Sequence, residues 1–171
     1  MERQILLAFT ALLFMSCNRQ EKRYTQQSAE ITSFKQSVDD YRNYRWDDLK
    51  AHYADTAKIA NNVVEKKAIN ISKHIESSKK DAEMFDWIIE NEEYEMVVTD
   101  EGETWVNFWG VWKGTMKKTK KEYVIPYHST AQFVDGKIVK EFGYWNNSEI
   151  STDLMKAEQE TAMNENISEG Y

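Results

Sequence analysis

Cysteine occurs once in these 171 residues, proline once and glycine six times. A lone cysteine, Cys17, excludes an intrachain disulfide and a thiolate metal cluster. The three histidines, His52, His74 and His128, stand alone, with no second histidine at ligand spacing, so no metal site and no cofactor are expected. No Gly- or Pro-rich linker parts two domains, and a chain this long that is 41% apolar builds a single core. The longest apolar run, from Ile5 to Met15, falls short of the roughly 20 residues that a bilayer-spanning helix needs. Basic residues are outnumbered, 22 against 29, giving a net charge of −7. A nucleic-acid partner is not expected, because it requires a clustered basic face.

Aromatic residues, by contrast, are plentiful, with six tryptophans and nine tyrosines. Such a surplus suits a lined cavity or an interface. Many lie between Thr104 and Asn147, where three period-two segments read as an antiparallel meander. Within it, Asp135-Gly136 joins Gln132-Phe133-Val134 to Lys137-Ile138-Val139, the signature of a two-residue type I′ hairpin. Counting outward from that turn pairs Phe133 with Ile138, Ser129 with Phe142, Tyr127 with Tyr144 and Ile125 with Asn146 on one face. The opposite face receives Thr130 with Glu141, His128 with Gly143 and Pro126 with Trp145. The first face is read as the pocket side. Its expected ligand-binding residues are Tyr127, Tyr144 and Asn146, together with Tyr44, Trp105 and Trp109, and Trp87 is a further lining candidate. His128 is the weak catalytic candidate, because the count places it on the other face unless a bulge intervenes.

The rest of the chain reads in order. Residues 1–17 have the apolar core of a secretory leader ending at Leu13-Phe14-Met15-Ser16-Cys17, and they resemble a bacterial lipoprotein signal in which Cys17 receives the lipid. Residues 18–28 are polar and read as a flexible tether. Ile31, Phe34, Val38 and Tyr41 mark an amphipathic helix that leaves Asp39 and Asp40 solvated. A second helix runs from Trp46 to Asp55, with Asp47 and Asp48 at its positive start. A strand is weakly marked within 57–64. A third helix is expected from Asn70 or Ser72 to about Ile89, and a strand from Tyr94 to Thr99. A tail helix begins near Ser148 or Ser151. The folded domain spans 29–160, and 161–171 is a polar tail.

Trp46 to Asp55, Gly114-Thr115, Asp135-Gly136-Lys137-Ile138 and Tyr144-Trp145-Asn146 resemble, in order and spacing, the SnoaL-like branch of the nuclear-transport-factor-2-like superfamily. The resemblance covers roughly residues 30–158. It implies an α+β fold, a cone-shaped, curved and mostly antiparallel sheet wrapped around N-terminal helices, with a pocket inside and dimers through the sheet. A second copy would cover Pro126, His128, Trp145 and Trp112. In catalytic members an acid commonly follows the final Tyr-Trp, and here Asn146 stands in that place, an amide that cannot exchange a proton near neutral pH. The reading is therefore a lipid-anchored domain of the bacterial cell envelope, on the periplasmic face or the cell surface. It would bind a small apolar molecule or a protein partner without catalysis. The alternative is a cyclase, isomerase or dehydratase using acid/base chemistry in the same pocket. An ionisable side chain deep in the cavity, with a second group orienting it, distinguishes the enzyme.

Overall fold

The computed structural model describes residues 23–169. The expected leader with Cys17 and residues 18–22 of the tether lie outside the described residues. Three helices, α1 (Ala29–Arg42), α2 (Trp46–Ala51) and α3 (Ile71–Met84), sit in the concave side of a curled six-stranded sheet, and α4 (Ser148–Glu169) ends the described chain. The strands are β1 (Tyr24–Thr25), β2 (Tyr53–Asn61), β3 (Phe85–Val98), β4 (Thr104–Met116), β5 (Glu122–Val134) and β6 (Lys137–Trp145), in the order β1-β3-β4-β5-β6-β2. Four neighbouring pairs are antiparallel, and β2 joins β6 in parallel. This is the α+β architecture expected from helices followed by a meander.

Local chemistry sets the helix starts. Ser28 Oγ accepts the Ile31 N–H at 3.1 Å to open α1, and Asn70 Oδ1 accepts the Lys73 N–H at 2.9 Å to open α3. The apolar stripe of α1 then enters the sheet's hollow. Phe34 meets the rings of Tyr94, Phe108 and Phe133 edge-on, at 6.2, 6.2 and 6.4 Å. Edge-to-face contacts of this kind let one ring satisfy several neighbours. Around them Val106, Ala131, Ile138 and Ile59 are fully buried.

Several boundaries differ from expectation. Tyr53 starts β2 rather than continuing a helix to Asp55, because it aligns with Ile138 and buries its ring. Helix α3 stops at Met84, and Phe85 to Ile89 belong to β3, where Phe85, Trp87 and Ile89 alternate inward. A bulge at Asn91-Glu92, with Asn91 at φ 54°, then reverses the alternation so that Tyr94 points in. Tyr24 and Thr25, expected in the tether, pair with Val97 and Met96 at the sheet edge. Residues 161–169, expected as a polar tail, continue α4. Asp40, expected in solvent, is buried and shared between Arg45 and His52.

The Asp135-Gly136 hairpin is formed as read, with both residues at positive φ. Val134 pairs with Lys137 and Phe133 with Ile138. The next step departs from the count. Val139 is an extra residue on β6, so Gln132 pairs with Lys140, Ala131 with Glu141, His128 with Tyr144 and Tyr127 with Trp145. One inserted residue exchanges the two faces for the rest of β6.

Candidate functional site

Because of that exchange, Glu141 points into the hollow of the sheet and is only 6% exposed. An isolated buried carboxylate is costly unless hydrogen bonds replace its water. Two neutral donors do this. Ser129 Oγ, from the neighbouring strand, donates to Oε1 at 2.9 Å, and the Tyr53 hydroxyl, from β2, donates to Oε2 at 2.5 Å. Ionised carboxylate oxygens each have two acceptor sites, so one remains free on each.

Glu141 forms part of the wall of a cavity of about 440 Å³ between the helices and the sheet. The volume suits a small organic molecule. Phe34, Val38, Leu49, Ile89 and Ile125 supply much of its apolar wall, and Tyr127, Trp112 and Trp145 line it from the sheet. Helix α3 contributes His74, Ser77, Ser78 and Asp81. Ile150, Ser151 and Leu154 of α4 complete the enclosure. That helix is held by Asp153, which accepts from the Tyr123 hydroxyl at 2.8 Å and pairs with Lys121 at 2.6 Å.

The titratable groups here respond to the enclosed setting. Burial, and then the charge of Glu141, pushes the Tyr53 and Tyr127 phenols well above their ordinary range, so both stay protonated. Burial holds the His74 imidazole below its usual value, against the opposing pull of Glu141. Burial raises the Asp81 carboxyl. Asn61, beside them, has a buried Oδ1 with no hydrogen-bond donor among the described residues. That oxygen lies over Gly143, where an added Cβ would stand 2.5 Å from it and 2.7 Å from the Trp145 ring.

Of the residues expected to bind ligand, Tyr127 lines the cavity. Tyr144, Trp105 and Trp109 instead lie on the convex side. Tyr144 is 52% and Trp109 41% exposed, and Trp105 stacks on Phe142 at 6.1 Å. Tyr144 is turned out by the Val139 bulge, and the tryptophans by the alternation of β4. Asn146 is exposed, and its Oδ1 accepts the Ser148 N–H at 3.0 Å where α4 begins, so its amide serves the helix start. Tyr44, at φ 59°, packs outside the cavity against Trp46 and Trp87, and Trp87 lies behind the wall. His128 also faces outward. Its Nδ1 donates to the Phe108 carbonyl at 2.9 Å, and its ring lies between Trp109 and Tyr144. The bulge sits on β6 and not on β5, so it does not bring His128 inward. Trp112 and Trp145, expected under a second copy, line the cavity.

Sequence reasoning missed Glu141, Tyr53, His74, Asp81 and Asn61. The available signal for Glu141 was a carboxylate directly before the apolar, aromatic run Phe142-Gly143-Tyr144-Trp145. Outside the cavity, His52 lies between Ser33 and Asp40, at 3.3 and 2.8 Å, in a serine–histidine–aspartate row. Ser33 does not line the cavity, and Asp40 is also gripped by Arg45, so the row ties α1 to α2.

No family model and no curated protein matches the chain. Solved structures do. A candidate polyketide cyclase from Xanthomonas campestris superposes with a TM-score of 0.60 at 16% identity, over 73% of this chain and 96% of that one. A candidate isomerase from Bacillus subtilis gives 0.57 at 14% identity, over 69% and 86%. A nuclear-transport-factor-2-like protein from Burkholderia xenovorans gives 0.56 at 12%, over 71% and 93%. At these identities the likeness establishes a shared fold, the nuclear-transport-factor-2-like fold, and leaves function to the site.

Proposed function

We propose that the cavity carries out acid–base chemistry on a small, largely apolar molecule, with Glu141 taking and returning a proton. The observation that carries this is the position of Glu141, buried in the cavity wall and oriented by Ser129 and Tyr53. Perturbed, enclosed titratable groups gathered in a cleft are the mark of such chemistry. In the simplest step, the carboxylate removes a proton from a carbon beside a carbonyl. The C–H electron pair moves onto the carbonyl oxygen, and the Tyr127 hydroxyl, kept protonated, donates a hydrogen bond to the oxyanion. Where a C=C bond adjoins that carbon, return of the proton at the far end of the dienolate gives an isomer; attack of the carbanion on a second carbonyl, whose oxygen takes the proton back from Glu141, closes a ring.

Solvent-deuterium incorporation into a panel of apolar ketones, followed by NMR, tests this. Exchange by the wild type should fall by about 10²–10⁴-fold in Glu141→Gln. Equal exchange by both proteins would remove Glu141 from the mechanism. A second reading, binding without turnover, is favoured by Asn146. The acid that the family resemblance implies at that position is absent, and the amide caps α4 instead. A ligand seen by native mass spectrometry, with no exchange on any ketone, would select that reading.

The leader further suggests that a lipid on Cys17 holds the domain at the bacterial envelope, on the periplasmic face or the cell surface. Cys17→Ser should then leave the membrane fraction. The exposed aromatic rings of the convex face suit a homodimer, since a sheet face of that kind is usually covered.

A further inference from the structure

We infer that the cavity takes a protonated amine with apolar substituents, its ammonium seated between Asp81, Tyr41 and Trp112. This rests on the cavity being the functional site proposed above and adds the class of molecule it receives.

The first argument is charge. Among the described residues, the cavity wall contains two carboxylates, Glu141 and Asp81, and no lysine or arginine. Several acids elsewhere in the molecule have a cation beside them. Asp39 and Asp40 pair with Arg45, Glu92 with Arg42, Glu90 with Lys113, Asp86 with Lys117 and Asp153 with Lys121. Neither Glu141 nor Asp81 has a cationic partner of this kind among the described residues. His74 does not supply one at neutral pH, because burial favours its neutral form. A ligand carboxylate or phosphate would therefore meet two carboxylates, the buried Glu141 and the more open Asp81, while an ammonium would pair with one of them.

The second argument is hydrogen bonding. Asn61 Oδ1 is a buried acceptor with no donor among the described residues, Asp81 adds a second acceptor to the wall, and an ammonium donates only.

The third is the wall itself. Tyr41 and Trp112 line the cavity, and both belong to a ring cluster with Trp87 behind them, at 5.2 Å from Tyr41 and 6.4 Å from Trp112. Aromatic faces beside a carboxylate attract organic cations by the ring quadrupole. The nearness of Asp81 to this cluster is felt at Tyr41, whose phenol is raised by burial and then by the Asp81 charge. Glu141, beside Tyr53 and Tyr127, occupies a different part of the wall and stays free for the proton. The molecule would thus span the cavity, ammonium toward Asp81 and reacting carbon toward Glu141.

Three probes of matched shape decide the matter by calorimetry on the full chain near neutral pH: 2-phenylethylammonium, 2-phenylethanol and phenylacetate. The ammonium should bind on the order of tenfold tighter than the alcohol, with phenylacetate weakest. Asp81→Asn should bring the ammonium to the level of the alcohol and leave the alcohol unchanged. Asp81→Glu, which keeps the charge, should restore the preference, separating it from any effect on folding. The inference is overturned if the alcohol or phenylacetate binds tightest, if the preference survives Asp81→Asn, or if none of the three binds at millimolar concentration. Each of these outcomes leaves the Glu141 reading to its own assay, since deuterium exchange on neutral ketones does not depend on an ammonium seat.

Discussion

The two faces of the sheet are built from the same strands and the same aromatic residue types, yet they treat polar groups in opposite ways. On the convex face several acids have a nearby partner. Glu95 accepts from Asn107, Glu103 from Trp105, and Glu90 pairs with Lys113. There the rings lie parallel, Trp105 on Phe142 and His128 on Tyr144, and remain partly open to water. On the concave face the rings meet edge-on, water is largely excluded, and Glu141 is held only by hydroxyls. A carboxylate beside a cation gains stability and loses reactivity. One held by neutral donors keeps acceptor positions open toward the cavity, and the rest of the core bears the cost of its burial.

The contrast can be broken most severely at Glu141. Removing both of its donors together, with Ser129→Ala and Tyr53→Phe, should leave the carboxylate buried without a hydrogen bond. Loss of more than about 4 kcal/mol is expected, since an unsatisfied buried carboxylate is among the costliest defects a core can hold. A double variant with a wild-type denaturation midpoint would show that the two hydroxyls do not hold the carboxylate. Next in size is a matched pair on one strand. Phe108→Ala, on the concave side, should cost about 3–5 kcal/mol in denaturant unfolding. Its neighbour Trp109→Ala should change the stability of the isolated domain by no more than about 0.5–1 kcal/mol. If the convex face joins two copies, Trp109→Ala should also shift the sedimentation coefficient toward that of a monomer, and equal destabilisation by the two substitutions would erase the distinction between the faces. The smallest effect concerns His74. Its folded value is depressed from 6.5, so the unfolded chain binds the proton first. Stability should be full above that value and decline as pH falls through it. His74→Asn should flatten the decline between about pH 7 and pH 5, and an unchanged profile would place the titration elsewhere.

Much of this was legible from residue patterns. The Asp135-Gly136 turn, the start of α3 at Asn70, one of the two caps read there, and the order of helices before the meander all rest on local chemistry, which the chain expresses wherever it is placed. Tyr127 was placed correctly because β5 runs without a bulge. Tyr144 and Asn146 were misplaced because the extra residue at Val139 leaves no local mark. Val is as much at home in a regular strand as in a bulge, and only pairing with β5 and β2 reveals it. Phe85 and Ile89 misled for another reason. A spacing of four satisfies one helical turn and two strand steps equally, and Trp87 between them was the residue that told the two apart. His74 and Asp81 become lining only when the curled sheet closes over α3.

Gly143 takes no direct part in the cavity wall, yet it governs what can be inherited there. Any side chain at that position would collide with the Asn61 amide and the Trp145 ring, both of which do line the wall. A descendant of this chain that replaced Gly143 would therefore have to move or exchange one of those two residues, and the cavity would change shape at the same moment. Positions 61, 143 and 145 form a single unit of variation: related sequences should keep the glycine together with its two neighbours, or abandon the set and accept a different guest.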